Sequence, residues 1–250
     1  MLISIITVCL NSESSIEATI KSVLNQTYDN LEYIIWDGGS IDSTPSIIEN
    51  YAKKNKKIKF KKNAIDSGPG DAFNKSLEIT TGNVIGFLAA DDIFYNKDVL
   101  LNISKKFREN KNIDAVYGNI IYQNAKGLIS RRWITGKYKK NSLIDGWSIP
   151  FPAFYFKRKC YLLYGGLDTK FDIADDFDLI LRYVHVNQIH ISYINQIIVV
   201  FADSGRSSKI RSRFKAIKEI FLSFKKYKIN INYFKYILLR YVLKIKQLLR

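Results

Sequence analysis

Apolar and polar residues along the first hundred positions follow two alternating rhythms. Leu2-Ile3-Ser4-Ile5-Ile6-Thr7-Val8 and Leu31–Trp36 are short and almost continuously apolar, the pattern of strands buried on both faces of a parallel sheet. Between them Ile16, Ile20, Val23 and Leu24 recur at helical spacing behind Ser12 or Ser14, either of which can accept a hydrogen bond from the bare N–H groups of a helix start. A second helix opens at Asp42 or Ser43 and runs to about Lys54, with Pro45 tolerated in a first turn that needs no N–H there. A short strand near Ile58–Phe60, a glycine-proline turn at 68–70, a helix over Asp71–Thr80 and a strand over Asn83–Leu88 continue the alternation. This order predicts an α/β fold, a mostly parallel sheet flanked by helices.

The pattern changes after residue 98. A helix over 98–110 leads to a strand at Ala115–Gln123, a turn at Ala125-Lys126-Gly127 and a hairpin partner at Leu128–Ile134. A loop rich in aromatics and prolines follows (Trp147, Pro150, Phe151, Pro152, Phe154), then the acidic segment FDIADDFDLILRY at Phe171–Tyr183 and an apolar strand at Ile194–Phe201. From residue 209 onward apolar residues at helical spacing interleave with lysines. The expected organisation is a domain over 1–208, with a first half at 1–98 and a mixed second half at 99–208, and a basic amphipathic helical tail over 209–250.

Charge sharpens that division. Of the net +16, residues 209–250 hold +12, with 13 Lys or Arg against the single acid Glu219, so the basicity belongs to the tail. With 47% apolar residues the chain can build a core, and a disordered composition is excluded. No uncharged apolar run reaches the 18 residues of a membrane span, and the N-terminus lacks the basic region and cleavage site of a signal peptide. The expectation is a cytoplasmic protein in which Cys9 and Cys160 are free thiols.

In open α/β sheets ligands bind outside the carboxyl ends of the strands. Three such ends carry polar chemistry here: Thr7-Val8-Cys9-Leu10-Asn11, Asp37-Gly38-Gly39-Ser40-Ile41-Asp42 and Ala90-Asp91-Asp92. Converging, they line one crevice with Asp37, Asp91 and Asp92, a set of like charges that calls for a cation. A divalent ion carried by phosphate oxygens uses one or two carboxylates in this way; a helix cap over 92–98 or a solvated turn accounts for a lone Asp-Asp equally well. Gly38 and Gly39 allow a close backbone approach, and Asp66-Ser67-Gly68-Pro69-Gly70-Asp71 precedes a helix whose free N–H groups suit an anion. No complete GxGxxG or GxxxxGK[ST] is present. Asp175, Asp176 and Asp178 open a helix, where the dipole favours acids; one of them is alternatively a general base across the crevice. His185 and His190 sit in no catalytic context, which leaves Ser-His-Asp chemistry without a basis.

TVCLN at 7–11, DGGSIDST at 37–44, DSGPGDAFNKS at 66–76, GFLAADD at 86–92 and ADDFDLILR at 174–182 together resemble family 2 glycosyltransferases, in order and spacing over residues 2–208. Those are inverting enzymes of the GT-A fold that use nucleotide-diphospho-sugars, and within them the chain looks most like bacterial enzymes of surface polysaccharide synthesis. The resemblance implies that Thr7, Cys9 and Asn11 lie beside the nucleotide base and ribose, that Asp37 bonds the base and that Gly38, Gly39 and Ser40 shape its loop. It places Asp66, Gly68, Asp71 and Asn74 beside the diphosphate and donor sugar, Asp91 on the ribose and Asp92 on the Mn²⁺ or Mg²⁺ carried with the diphosphate. Asp176 matches the catalytic base, with Asp175 and Asp178 in support, and Arg206, in FADSGRSS at 201–208, reaches for the diphosphate. Two departures stand out: Ala90 occupies the first position of the D-x-D pattern, and Phe151 stands where relatives often carry a polar residue or His.

The expected activity is therefore hexosyltransferase-type, metal-assisted transfer from a nucleotide-sugar, UDP favoured, to a saccharide or lipid-linked saccharide. The basic amphipathic tail suits an anionic membrane, at the cytoplasmic face of the inner membrane, or else a solvated face packed on the domain; no nucleic-acid partner is expected. A sugar nucleotidyltransferase shares a related sheet, but TVCLNSES stands here in place of its glycine-rich basic loop. A non-catalytic, membrane-tethered domain of the same fold is the remaining alternative.

Overall fold

The computed structural model describes residues 1–124, 126–202 and 210–248. β1 (Ile3–Cys9), α1 (Ile16–Leu24), β2 (Leu31–Asp37), α2 (Thr44–Lys54), β3 (Ile58–Lys61), α3 (Pro69–Glu78) and β4 (Val84–Phe87) form the expected alternation, with the strands parallel in the order β3-β2-β1-β4. The near-continuous apolar runs have a direct cause. Ile3, Ile5, Tyr33 and Ile35 pack on one face with α1 and α2, while Ile6, Ile34 and Ile85 pack on the other with Phe73 and Leu77 of α3. At the amino ends of these strands Glu32 accepts the Ser4 hydroxyl at 2.5 Å and the N–H groups of Thr81 and Gly82 at 2.6 and 3.0 Å, and it pairs with Lys59. Burial alone would raise its pKa, but the Lys59, Ser4 and Thr81 bonds overcome that and hold it at about 2.

Beyond β4 the paired acids lead into β5 (Ile93–Phe94), a two-residue strand rather than a helix cap, and the next helix, α4, spans Val99–Glu109. β6 (Ala115–Gln123) and β7 (Ile129–Trp133) make the expected hairpin. The aromatic loop holds an element that its sequence does not announce. After a short 3-10 turn at Phe151–Ala153, β8 (Phe154–Lys157) slots antiparallel between β4 and β6, and α5 (Arg158–Tyr164) follows. Tyr155 crosses directly over Gly86, where a Cβ would lie 2.2 Å from its ring, so glycine is required there. α6 (Asp175–Ile180) continues into a wider π turn over Leu181–Val186, and β9 (Ile191–Ala202) runs parallel to β6 and antiparallel to β5. Among the described residues the sheet has nine strands, in the order β3-β2-β1-β4-β8-β6-β9-β5 with β7 paired to β6.

The tail is two helices, α7 (Ile210–Lys226) and α8 (Tyr233–Leu248), and both pack on the domain. Ile220, Phe224 and Tyr236 are buried in the same cluster as Phe177 and Leu179 of α6. Lys235 pairs with Asp145 at 2.8 Å. Gly146, at φ +83°, lets the α8 backbone approach so closely that a Cβ there would stand 2.7 Å from the Arg240 nitrogen. No helix among the described residues is long and apolar enough to cross a membrane.

Candidate active site

The parallel register aligns the carboxyl ends of the first strands, with Cys9 paired to Asp37 across β1 and β2. Asp37 is fully buried and shapes the loop that follows it: its carboxylate accepts the Ser40 N–H at 3.2 Å and the Asn63 N–H at 3.3 Å. The Cys9 thiol points at the Trp36 carbonyl and the same carboxylate, and burial, with Asp37 and Asp42 adding to it, pushes its pKa far up, which leaves an inert packing group. Asn11 and Ser40 join the two loops, since the Ser40 hydroxyl accepts the Asn11 N–H at 2.8 Å and Asn11 accepts the Ile41 N–H at 3.0 Å. Thr7 lies beneath this surface. Its buried hydroxyl donates to the Leu88 carbonyl at 2.7 Å and accepts from Tyr33, so its side chain is spent inside the fold.

Asp66 is brought to the same end by two bonds, from Trp36 Nε1–H at 3.0 Å and from the Gly68 N–H at 3.0 Å. A Cβ on Gly38 would stand 3.1 Å from its carboxylate, so Gly38 admits Asp66 to the crevice. Gly68, at φ +128°, turns the chain into α3, and Asp71 braces that turn by accepting the Ser67 N–H at 2.8 Å and pairing with Lys75 at 2.9 Å. Lys75, then the Ser67 bonds, hold the Asp71 carboxyl below its ordinary value. The Asn74 amide donates to the Leu167 carbonyl and accepts the Leu167 N–H, both at 2.8 Å, and so latches α3 to the 165–168 loop. Gly39 is at φ +93° with open space around it.

The two adjacent acids differ in state. Asp91 is exposed at the mouth, although the crevice walls still withdraw enough water from its carboxyl to raise its pKa. Asp92 is fully buried, with one oxygen accepting the Ala202 N–H at 3.0 Å and the other, Oδ2, lacking a partner among the described residues. Burial first, then the neighbouring Asp91, pushes its pKa up to about 8. A buried carboxylate oxygen with nothing to bond is of the kind a cation can satisfy. Among the described residues no group of three or more His, Cys, Asp or Glu could hold a metal by itself. Asp92 therefore fits a divalent ion whose other ligands come with a diphosphate, not an all-protein cage.

The second acidic segment splits three ways. Asp175 reaches back to the amino end of α3, where a Cβ on Gly70 would stand 3.0 Å from its Oδ2. Asp176 accepts the Phe177 N–H at 2.6 Å and lines a cavity of about 590 Å³ between the second half and the tail, with Trp133, Trp147, Phe201 and Arg240 among its walls. Burial raises the pKa of both acids, assisted at Asp175 by the charge of Asp176 and opposed at Asp176 by its own backbone bond and by Arg240. Asp178 does not share the site. It is fully buried, pairs with Lys226 at 3.0 Å and accepts the Tyr227 hydroxyl at 3.0 Å, so its expected support for the base is corrected to an anchor for α7. Phe151 is buried edge-on to Phe73 and also lines the cavity beside Asp176, an apolar wall where relatives often carry a polar residue or His. Arg206 lies outside the described residues. The sequence does not single out Arg240 and Glu219 as site residues, because they stand about 40 to 60 positions beyond α6; that Glu219 is the one acid in a basic tail is the available signal.

A sheet covered on both faces, with acids gathered at the carboxyl ends of its parallel strands and a second acidic helix facing them, defines the GT-A glycosyltransferase class. Residues 4–157 match Glycosyl transferase family 2, and the chain belongs to that family. It is 28% identical over 193 residues, 73% of each chain, to the PGL/p-HBAD biosynthesis glycosyltransferase of Mycobacterium bovis. It is 32% identical over 148 residues, 59% of this chain and 57% of the other, to the UDP-Glc:alpha-D-GlcNAc-diphosphoundecaprenol beta-1,3-glucosyltransferase WfgD of Escherichia coli. Its fold is similar to that of S. aureus TarS in complex with UDP-GlcNAc, with TM-score 0.69 and 18% identity over 97% of this chain and 71% of that one. The mannosyltransferase PcManGT from Pyrobaculum calidifontis, in complex with GDP-Man and Mn²⁺, gives TM-score 0.69 and 18% identity over 96% of this chain and 69% of that one. The chain is a glycosyltransferase, an enzyme acting on sugar nucleotides.

Proposed function

We propose that this enzyme moves a sugar, with inversion, from a UDP-sugar to a hydroxyl of a saccharide or lipid-linked saccharide in bacterial surface polysaccharide synthesis. The observation that carries the reading is the acidic corner at the start of α6: Asp176 lines an aromatic cavity of about 590 Å³ while its neighbour Asp175 lies against the first turn of α3. That arrangement suits an acceptor in the cavity and a diphosphate at the α3 amino end, with one carboxylate between them. Asp176 takes the proton from the acceptor hydroxyl, and the freed oxygen attacks the anomeric carbon from the face opposite the diphosphate, in a single displacement without a covalent intermediate.

The other crevice residues bind and orient the donor. Asp37, held by Ser40, faces the base beside the Cys9–Asn11 strand end and the Gly38–Gly39 turn; Asp91 holds the ribose; Asp66, Gly68 and Asp71 set the α3 entrance; and Arg206 belongs to the diphosphate. Asp92 would hold Mn²⁺ or Mg²⁺ together with the diphosphate, and such an ion, when bound, offsets the charge that develops on the leaving nucleoside diphosphate. UDP is favoured because TarS is seen in complex with UDP-GlcNAc and WfgD is named for UDP-Glc. WfgD also supports a lipid-linked acceptor, since its name specifies a sugar on diphosphoundecaprenol.

Thermal shift with UDP, GDP and dTDP, each with and without Mn²⁺, tests the donor half. The expected result is a stabilisation that needs both UDP and the metal; no shift with any pair would sink the donor assignment.

The tail supports a membrane-bound acceptor in its own way. Phe234, Leu238, Tyr241, Ile245 and Leu248 form one stripe along α8 at spacings of four and three, each 52–77% exposed, while Tyr236 faces the core. With the tail's net +12, this outer face suits the anionic cytoplasmic face of the inner membrane, each Lys or Arg near such a surface contributing on the order of 1 kcal/mol. Co-sedimentation with phosphatidylglycerol-rich vesicles at low salt is the expected outcome, and a protein left in the supernatant counts against the contact.

A further inference from the structure

The amino end of α6, where Asp175 and Asp176 stand, carries no side-chain cap of its own, because the capping position is occupied by Ala174. The three N–H groups just ahead of it are satisfied from far along the chain. Glu219 of α7 accepts the N–H groups of Ile173 and Ala174 with one oxygen, both at 2.9 Å, and that of Asp172 with the other at 3.3 Å. Glu219 is itself buried, and it is the single acid among residues 209–250. Seven residues later on α7, two helical turns along the same face, Lys226 grips Asp178 near the other end of α6. Between these two holds the acids aim themselves through their own backbone: Asp175 accepts the Asp176 N–H at 2.9 Å and Asp176 accepts the Phe177 N–H at 2.6 Å. The direction of Asp176 thus follows from where the 172–174 backbone is held.

We infer that Glu219 is a positioning residue for transfer: by gathering the three N–H groups ahead of α6 it fixes the corner that turns Asp176 toward the acceptor cavity. The inference rests on Asp176 being the base. A tail that supplies this hold is part of the catalytic domain and not an appendage to it. Glu219 also adds a negative charge beside Asp175 and so favours the protonated pair, while Arg240 faces Asp176 from α8 with the opposite effect.

The test uses the full chain and UDP release from UDP-glucose and UDP-GlcNAc with water as acceptor, beside thermal shift with UDP and Mn²⁺. Glu219→Ala is expected to slow release at saturating donor by about 10- to 100-fold, the scale of a misplaced catalytic group, with UDP-induced stabilisation retained. Glu219→Gln keeps an accepting oxygen and is expected to stay within about threefold of the parent at high pH. Glu32→Gln, which removes the charge paired with Lys59 at the far end of the sheet, is expected to lower the melting temperature without slowing release. Carbon-13 titration of the Asp carboxyls needs no turnover: the Asp175–Asp176 pair is expected to titrate at lower pH in Glu219→Gln. A Glu219→Ala rate within twofold of the parent, a Gln variant no better than Ala, an equal loss in Glu32→Gln, or an unmoved titration each overturns the role. Asp176→Asn measured alongside separates the two ideas. Normal release by that variant brings down the base itself, whereas normal release by Glu219→Ala beside an inactive Asp176→Asn brings down only the positioning.

Discussion

Asp176→Asn is expected to cut transfer by about 10²- to 10⁴-fold, the usual contribution of a positioned base, while UDP binding in the presence of Mn²⁺ stays within about twofold. The asymmetry follows from geometry: Asp176 lines the cavity with Trp147 and Arg240, while the crevice acids Asp37, Asp91 and Asp92 lie at the ends of other elements. Equal loss of binding and transfer would assign Asp176 to the donor site instead. The parent enzyme's pH profile makes the same point. Burial, joined at Asp175 by the charge of Asp176, raises the pKa of this pair, so the rate should rise with pH through a region above the ordinary aspartate value of about 3.9 and then level off. Stability should move the other way. An acid whose folded pKa is raised contributes most below its unfolded pKa and loses that contribution as pH climbs through the folded value, so the charged, active pair is the less stable one.

Lys226→Met is expected to destabilise the fold by about 3 kcal/mol, the lower end of the range for stranding a buried charge, because Tyr227 still donates to Asp178 and Lys226 itself is a third exposed. For a chain of this length that corresponds to a fall in melting temperature of about 6–12 °C. Lys226 also bonds Asp168 at 2.9 Å, so its loss frees the loop before α6 as well as α6 itself. The double variant Lys226→Met with Asp178→Leu, which removes both charges, should recover most of the loss. A melting temperature within 2 °C of the parent for Lys226→Met alone (below about 1 kcal/mol on the same scale) would show that the pair holds nothing.

Much of the first half could be read from the chain because its strands are apolar on both sides and its helices repeat apolar positions at helical spacing. α1 nonetheless starts after Ser15 and not at the expected Ser12 or Ser14, and no side chain caps it. Ser43 and Pro45 open α2, and the alternation of Ile3, Ile5 and Ile6 between the two faces matches the two cores. β8 escaped because Phe154–Lys157 follows a proline-rich loop and pairs with strands about 70 and 40 positions away (register Ile85↔Phe156 and Val116↔Tyr155), a choice no local pattern encodes. The site shows the same limit. Residue types and spacing singled out Asp37, Asp91, Asp92 and Asp176 as candidates, but only the packed structure tells which oxygens are spent. Asp178 and Asn74 look as polar in the sequence as Asp92 does, yet both are fully bonded while Asp92 Oδ2 is not. In the tail, helical periodicity found the amphipathic pattern; that its inner face would cover α6 depended on Ile220, Phe224 and Tyr236 meeting Phe177, a tertiary fact.

The late strand β8 also sets a timetable. While the chain is being made, β1 to β4 can assemble from the first 87 residues, but the outer edge of β4 stays open until Phe154–Lys157 arrives to cover it. An uncovered apolar edge is a template for another chain, so the nascent protein spends the synthesis of some 70 residues in its most adhesive form, a window of several seconds at the pace of translation. The strand that joins the two halves of the enzyme is thus also the one that ends its exposure to neighbours emerging from the same message.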